Sequence, residues 1–400
     1  MTWRVCQFTK SFHLGGTEGQ VLELLRGLEP RYRLQVGVLD KVGPLWEEVR
    51  ALGHPTRDFP LRGGVARPNT VLQIGRLAAW LKMSRTDLVH VHDFYSTLLV
   101  VPAAKLAGTR VVVGRLDLAH WHAPVQWRAL AELTRRADAV VVNATAIQQM
   151  LEREERIPSR RIHLIHNGLD LPRFDARAAE GLSAPLPDTG GHPLVLHVAN
   201  MNHPVKRQED LLMALADANR DRVRLHALLV GDGPRRRALE RLAWELGVGH
   251  EAHFLGHRTD VPALWRTAAI GVLCSTAEGL SNTIIEGMAA GVPMVVTAAG
   301  GNTDLVVDGE RGLVVEPRRP EELAAAFHRL LGDRERAARM GRAGRRFVQE
   351  HLSLERLAAA HDWLYRSVLQ DREPESRAFA SKARLLSREP SPVRAPAPTA

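Results

Sequence analysis

Cysteine is nearly absent from this chain: there are two among 400 residues, Cys6 and Cys274. Two thiols so far apart make no disulfide framework, and both fall inside apolar runs, where a free cysteine serves as a small core hydrophobe. No apolar run reaches the roughly 18 residues that a membrane-spanning helix needs. The start, MTWRVCQFTKS, lacks the charged head and long apolar stretch of a secretion signal. The expectation is a chain that stays in the cytosol. Aromatic residues amount to 5%, and neither a zinc-ligand spacing nor an RNA-recognition signature is present, so nucleic acid is not an expected partner. Lysine is scarcer still, six of 54 basic residues. The net charge of +9 therefore comes from arginine spread along the whole chain rather than from one basic patch. Such basicity suits small anionic partners or an anionic membrane surface. No Asp-x-Asp occurs, which argues against a divalent ion gripped on a diphosphate, and no metal or other cofactor is expected. The chain start also lacks Gly-x-Gly-x-x-Gly, which speaks against a dehydrogenase.

What is present is 45% apolar and 25% charged residues, enough for two ordinary cores in 400 residues. Short β-branched runs alternate with stretches of helical period. TWRVCQF reads as a strand, and GTEGQVLELLRGLE then sets Val21, Leu24, Leu25 and Leu28 on one helical face. The alternation continues through LVHVHD, RVVVGR, ADAVVVNA and IHLIHNG, which ends at an Asn-Gly turn signal. It pauses at 179–193, AEGLSAPLPDTGGHP, and restarts with LVLHVAN. The pattern predicts an α/β protein of two doubly wound, Rossmann-like domains: 1–178, a linker over 179–193, and 194–350. Residues 321–369 read as continuous helical pattern, with a C-terminal helix over 351–370. The Pro-, Ser- and Ala-rich stretch 371–400 is expected to be disordered.

Residues 278–293, EGLSNTIIEGMAAGVP, hold the densest chemistry. Glu278 lies where a loop leaves the apolar strand IGVLCS, at the carboxyl end where open α/β sheets place binding residues. Glu286 lies within the helical stretch TIIEGMAAG, and Gly291 suits the position just past that helix. Carboxylates accept hydrogen bonds from the vicinal hydroxyls of a ribose or hexose. Gly279 lets backbone approach a phosphate, and the following helix start supplies N–H groups and a positive dipole end. For Glu286 a structural reading competes. Thr283-Ile-Ile-Glu286 has the spacing of a capping box, and on pattern alone that reading is favoured.

Glu278 to Glu286, with EGMAAGVPMVVT behind it, resembles the signature of the family-4 retaining glycosyltransferases, whose GT-B fold sets two Rossmann-like domains across a central cleft and implies that the C-terminal helix over 351–370 crosses back to the first domain. The likeness covers most of residues 1–370: GGTEGQVLELLRGL, LIHNGLD, LLVGDGPRRRAL, FLGHRTDVPALW and GGNTDLVVDGERGLVV follow in the family's order. It implies transfer of a hexose or hexosamine from a nucleotide diphosphate sugar to a glycan or lipid-linked acceptor, as in cell-surface or exopolysaccharide synthesis. Peripheral contact with the inner membrane face would go with that role. By position, the resemblance implies that Glu286 binds the donor ribose and Glu278 the transferred sugar. The backbone of Gly279, Leu280, Ser281 and Asn282 would hold sugar and phosphate, and Lys206, in NMNHPVKRQEDLL, would meet the diphosphate. Gly15 and Gly16 would face the phosphate from the other domain, and Arg258 would line the base pocket.

The chain departs from the family pattern in two places. Relatives commonly pair the lysine with an arginine a few residues earlier, where this chain has Asn200 and Asn202; Arg207 is the nearest substitute. Many members carry a histidine after the strand matched by RVVV, where this chain reads GRLDLAHW. Arg115 and Asp117 are expected there to orient acceptor or sugar, with a surface ion pair at a strand end as the alternative, and His120 lies further on. His92, at the end of VHVHD, is expected on the acceptor side of the cleft. HWHAPVQWRALAELTRR and IGRLAAWLKMSR mix tryptophan with basic residues, which fits a membrane-facing helix or, as favoured, a helix packed on its own sheet. Two other classes stay open: a GT-B enzyme of different chemistry, such as a nucleotide-sugar epimerase, and a non-catalytic sugar-nucleotide-binding scaffold.

Overall fold

The computed structural model describes residues 2–62, 68–118, 123–220 and 224–370. His120 and the stretch 371–400 lie outside them. Strands β1 (Arg4–Thr9), β2 (Arg33–Val38), β3 (Thr56–Asp58), β4 (Leu88–Val91), β5 (Arg110–Arg115), β6 (Ala139–Val142) and β7 (Ile162–Leu164) form a first sheet of order β3-β2-β1-β4-β5-β6-β7. Strands β8 (Leu194–Val198), β9 (His226–Val230), β10 (Ala252–Gly256), β11 (Ile270–Leu273), β12 (Met294–Thr297) and β13 (Gly312–Val315) form a second, of order β10-β9-β8-β11-β12-β13. Every pairing between these strands is parallel. Strands such as β6 (AVVV) and β12 (MVVT) are buried at every position, as helix-covered parallel sheets require. The two-domain α/β architecture read from the sequence is thus the one observed. Chain order reverses between β1 and β4 and between β8 and β11, and at such switch points a crevice opens beyond the strands' carboxyl ends.

The continuous helical pattern over 321–369 resolves into three helices, Pro320–Gly332, Arg334–His351 and Leu354–Leu369. The breaks have a local cause. The side chains of Asp333 and Ser353 accept the N–H groups of Arg336 and Arg356, at 2.9 and 3.3 Å, and so start new helices. Helix Arg334–His351 packs Phe347 and Val348 beneath the second sheet, whereas Leu364 and Tyr365 of the last helix sit in the first domain's core with Leu25 and Leu28. The last helix therefore crosses back, as expected. The chain passes between domains twice, and the passages are tied: Leu169 N–H donates to Leu352 O at 2.8 Å, and Leu354 N–H to Leu169 O at 3.2 Å. Helix Leu171–Ala179, which the sequence reading keeps in the first domain, places Phe174 in a core of the second, near Leu264 and Trp265. Trp80 packs on Phe59 at 5.5 Å, and Trp127 Nε1 donates to Glu155, so both tryptophans turn inward as the favoured reading has it. Cys6 and Cys274 are free and buried. Among the described residues, no helix is long and apolar enough to cross a membrane.

Beneath the last helix lies a buried polar cluster. His90 on β4 and His92 just past its end lie side by side, their rings 4.0 Å apart, and His361 lies 5.5 Å from His90. Tyr365 Oη meets His90 Nδ1 at 2.7 Å and accepts from Gln7 Nε2 at 3.0 Å. Burial holds His361 down to about 4, and burial with the charge of neighbouring histidines behind it holds His92 to about 3 and His90 well below its ordinary value. Unfolded histidines gain a proton below about pH 6.5, so the unfolded chain binds more protons than the folded one in that range. Stability should therefore fall as the pH drops from about 6.5 towards 4, by up to about 1.4 kcal/mol per pH unit for each histidine. Urea midpoints measured from pH 7 to pH 5 check this. His361→Gln should flatten the decline, and a pH-independent midpoint in the parent protein would contradict it.

Candidate functional site

Lys206 and Glu278 meet because their loops leave the two strands that flank the second switch point. Lys206 ends the short turn Pro204–Lys206 after β8, and Glu278 lies in the loop after β11. Thr276 N–H donates to Val205 O at 2.9 Å, which ties the loops together. Lys206 Nζ then lies 2.6 Å from Glu278 Oε1, with the side chains 23% and 10% exposed. That is a short, charge-assisted contact at the rim of the crevice. Burial, with the Lys206 charge behind it, pushes His197 on β8 down to about 4. Arg207 does not stand in for the missing arginine, since Asp210 engages its guanidinium through both Nε and Nη2.

Helix Asn282–Ala289 begins after Ser281, whose side chain makes no cap hydrogen bond. The capping box favoured for Glu286 does not form. Thr283 Oγ1 donates instead to Val198 O at 2.9 Å, and Glu286 Oε2 accepts from Trp265 Nε1 at 3.4 Å. The helix starts two residues too early for Thr283 to cap it, since Ser281 holds the cap position. Burial pushes the Glu286 carboxyl up to about 7, against the opposing pull of Trp265 and Arg177.

The turn between these carboxylates is pressed against the first domain. A Cβ on Gly279 would run into the carbonyl oxygen of Leu116, and one on Gly300, whose φ is +55°, into that of Glu278. Asn282 Nδ2 donates to Gly16 O at 3.0 Å, and Thr145 N–H to Asp304 Oδ2 at 2.7 Å. Gly15, extended and exposed, precedes helix Gly16–Leu28 on the facing wall. Lys206, Glu278, Gly279, Leu280, Ser281, Asn282, Gly15 and Gly16 thus gather at one seam, with Glu286 one turn into its helix. Asp117 follows Leu116 in the chain and is half-buried.

Three expected residues are elsewhere. Arg115 is neither exposed nor turned to the cleft: it is 3% exposed, and its two terminal nitrogens each lie 2.7 Å from a Glu155 oxygen. The alternative of a surface ion pair fails as well, because Trp127 and Thr134 close over that pair. His92 does not line the cleft, since its Nε2 is spent on Gln7 Oε1 at 2.8 Å under the last helix. Arg258 is clamped by Asp260 and donates to Ala184 O at 3.1 Å, so it anchors the interdomain connection rather than a base pocket. Gln20, Asn143 and Asn167 went unrecognised, although each contacts the seam. Asn143 carried a usable signal, a polar residue at the carboxyl end of a valine strand. Gly279→Ala should destabilise the protein by about 1–3 kcal/mol in urea, since the methyl meets a backbone oxygen that cannot rotate aside. The radius of gyration in small-angle scattering should rise as the sheets part; if neither quantity changes, the seam is not close-packed.

Two family models match the chain: "Glycosyltransferase Family 4" over residues 14–173 and "Glycosyl transferases group 1" over residues 192–333. The putative glycosyltransferase EpsF of Bacillus subtilis is 26% identical over 369 residues, which span 88% of this chain and 91% of that protein. The GDP-mannose-dependent alpha-(1-6)-phosphatidylinositol monomannoside mannosyltransferase of Mycobacterium tuberculosis H37Rv is 30% identical over 341 residues, 79% of this chain and 86% of that one. Among solved structures, Anabaena Alr3699/HepE in complex with UDP and glucose superposes with a TM-score of 0.80 at 20% identity, covering 91% of this chain and 99% of that one.

Proposed function

The chain belongs to glycosyltransferase family 4, and from that premise we propose that it moves a hexose or hexosamine from a nucleoside-diphosphate sugar to a glycan or lipid-linked acceptor, with retention of anomeric configuration. The carrying observation is the Lys206–Glu278 pair, 2.6 Å apart, at the start of the turn whose Asn282 reaches Gly16 O in the first domain. The bond broken in such a transfer joins a sugar carbon to a phosphate oxygen. A cation for the phosphate and a carboxylate for the sugar hydroxyls must then lie side by side, as these two do. The GDP-mannose of the mycobacterial relative and the UDP of the Anabaena complex support a nucleoside diphosphate with either base.

On this reading Lys206 and the start of helix Asn282–Ala289 take up the negative charge that develops on the diphosphate as the bond breaks. The leaving oxygen remains on the face it departs from and accepts the proton of the acceptor hydroxyl. The new bond forms on that same face, without a protein nucleophile and without a metal. Asp117 orients the acceptor or the sugar. Glu286 accepts hydrogen bonds from the ribose. A lipid-linked acceptor places the enzyme at the cytosolic face of a membrane, and helix Pro68–Met83 supports peripheral contact there, with exposed Val71, Leu72 and Met83 beside Arg76 and Lys82.

Calorimetry with UDP, GDP and ADP in excess chelator tests the donor assignment; failure of all three to bind would sink it. Glu286→Ala should weaken the nucleotide that binds by about 1.5–3 kcal/mol, the value of a charge-assisted hydrogen bond. Because ionised Glu286 is the better acceptor, affinity should rise with pH through about 7, and Glu286→Gln should remove that rise. Glu278→Ala should leave nucleotide affinity near that of the parent and lower turnover. With a donor panel and extracted lipid-linked acceptors, the anomeric coupling of the product reads the stereochemistry. Inversion would refute the mechanism and leave the fold untouched.

A further inference from the structure

The seam between the sheets is filled by side-chain amides that close on one another. Asn143 follows β6, Asn167 lies beyond β7, Gln20 sits in helix Gly16–Leu28, and Asn282 opens its helix from the second domain. Asn143 Oδ1 accepts from Leu280 N–H at 3.3 Å, and Asn143 Nδ2 donates to Asn167 Oδ1 at 3.2 Å. Asn167 Nδ2 donates to Leu280 O at 3.2 Å and to Asn282 Oδ1 at 2.7 Å. Gln20 holds Gly168 by both backbone groups, each at 2.9 Å, and its Nε2 reaches Asn282 Oδ1 at 3.3 Å. Asn143 and Asn167 are 3% and 6% exposed.

Both backbone polar groups of Leu280 are thus held by asparagines of the other domain. Buried amides add little net stability, because their desolvation offsets most of the hydrogen bonding. What a fully paired network does supply is a single geometry. Here that geometry belongs to the turn Gly279–Asn282, whose far end also reaches Gly16 O. We infer that Asn143 and Asn167 are positioning residues that set this turn at the distance from Gly15 and Gly16 at which one diphosphate meets both. The role of the diphosphate rests on the donor reading above; the ordering of the turn does not.

Asn143→Ala and Gln20→Ala in the full chain test the inference, by amide hydrogen exchange without ligand and by calorimetry with UDP, GDP and their monophosphates. Exchange across residues 279–283 should quicken on the order of tenfold in both variants while β8 and β11 keep parental protection. Affinity for the diphosphate should fall about tenfold, as for one lost hydrogen bond, and affinity for the monophosphate less than twofold. Gln20 is half-buried, so its variant still decides the matter if Asn143→Ala does not fold. Unchanged exchange at 279–283 in both variants would overturn the inference, as would a rise spread evenly over both sheets. A parent protein that binds none of the nucleotides would sink the donor reading alone, because the exchange result still reports whether the amides order the turn.

Discussion

The arrangement of this molecule hangs on one close approach, the backbone of Gly279 against the carbonyl of Leu116. Each sheet by itself offers only half a crevice at its switch point. With no Cβ at Gly279, the loop after β11 can lie against the loop after β5, and the halves become facing walls. The neighbouring contacts serve the same approach. Gly300 folds back on Glu278, Asn282 reaches Gly16, and Thr145 meets Asp304. The double passage at Leu169 and Leu352 sets a short tether next to Gly168, which Gln20 holds at the seam.

The GRLD segment changes meaning in this light. In the sequence its arginine and aspartate, two positions apart, invite a shared role. The structure separates them. Arg115, still on β5, turns beneath the sheet and is neutralised by Glu155. Breaking such a pair would leave a buried charge without a partner. Leu116 supplies a backbone oxygen to the seam, and Asp117 stands beside it. Two consecutive residues, Arg115 and Leu116, thus serve a core and an interdomain contact.

Legibility followed the range of the interactions. Strands and helices were readable because burial on both faces of a parallel sheet demands valine-rich runs, and a covering helix demands its apolar period. Gly291 was readable as a helix end, since its φ of +76° is a local property. The breaks at Asp333 and Ser353 were missed because a single capping side chain leaves the apolar period on either side intact. His92 and Arg258 were misplaced for a different reason. Both stand at strand ends, where cleft residues are expected, but Gln7 claims His92, and Asp260 together with the connecting segment claims Arg258.

By itself, then, the sequence determined two parallel α/β domains and the loop of Glu278 with its following helix as the place of interest. These follow from periodicity, turn chemistry and motif order, all carried within a few dozen residues. Tertiary structure alone decided which polar groups face the seam and which are spent in the core. Lys206 touches Glu278 across 72 positions of chain, and Asn143 holds Leu280 across 137. Such pairings depend on how the two sheets abut, and a side chain's partner across that seam leaves no periodic trace in the residues around it.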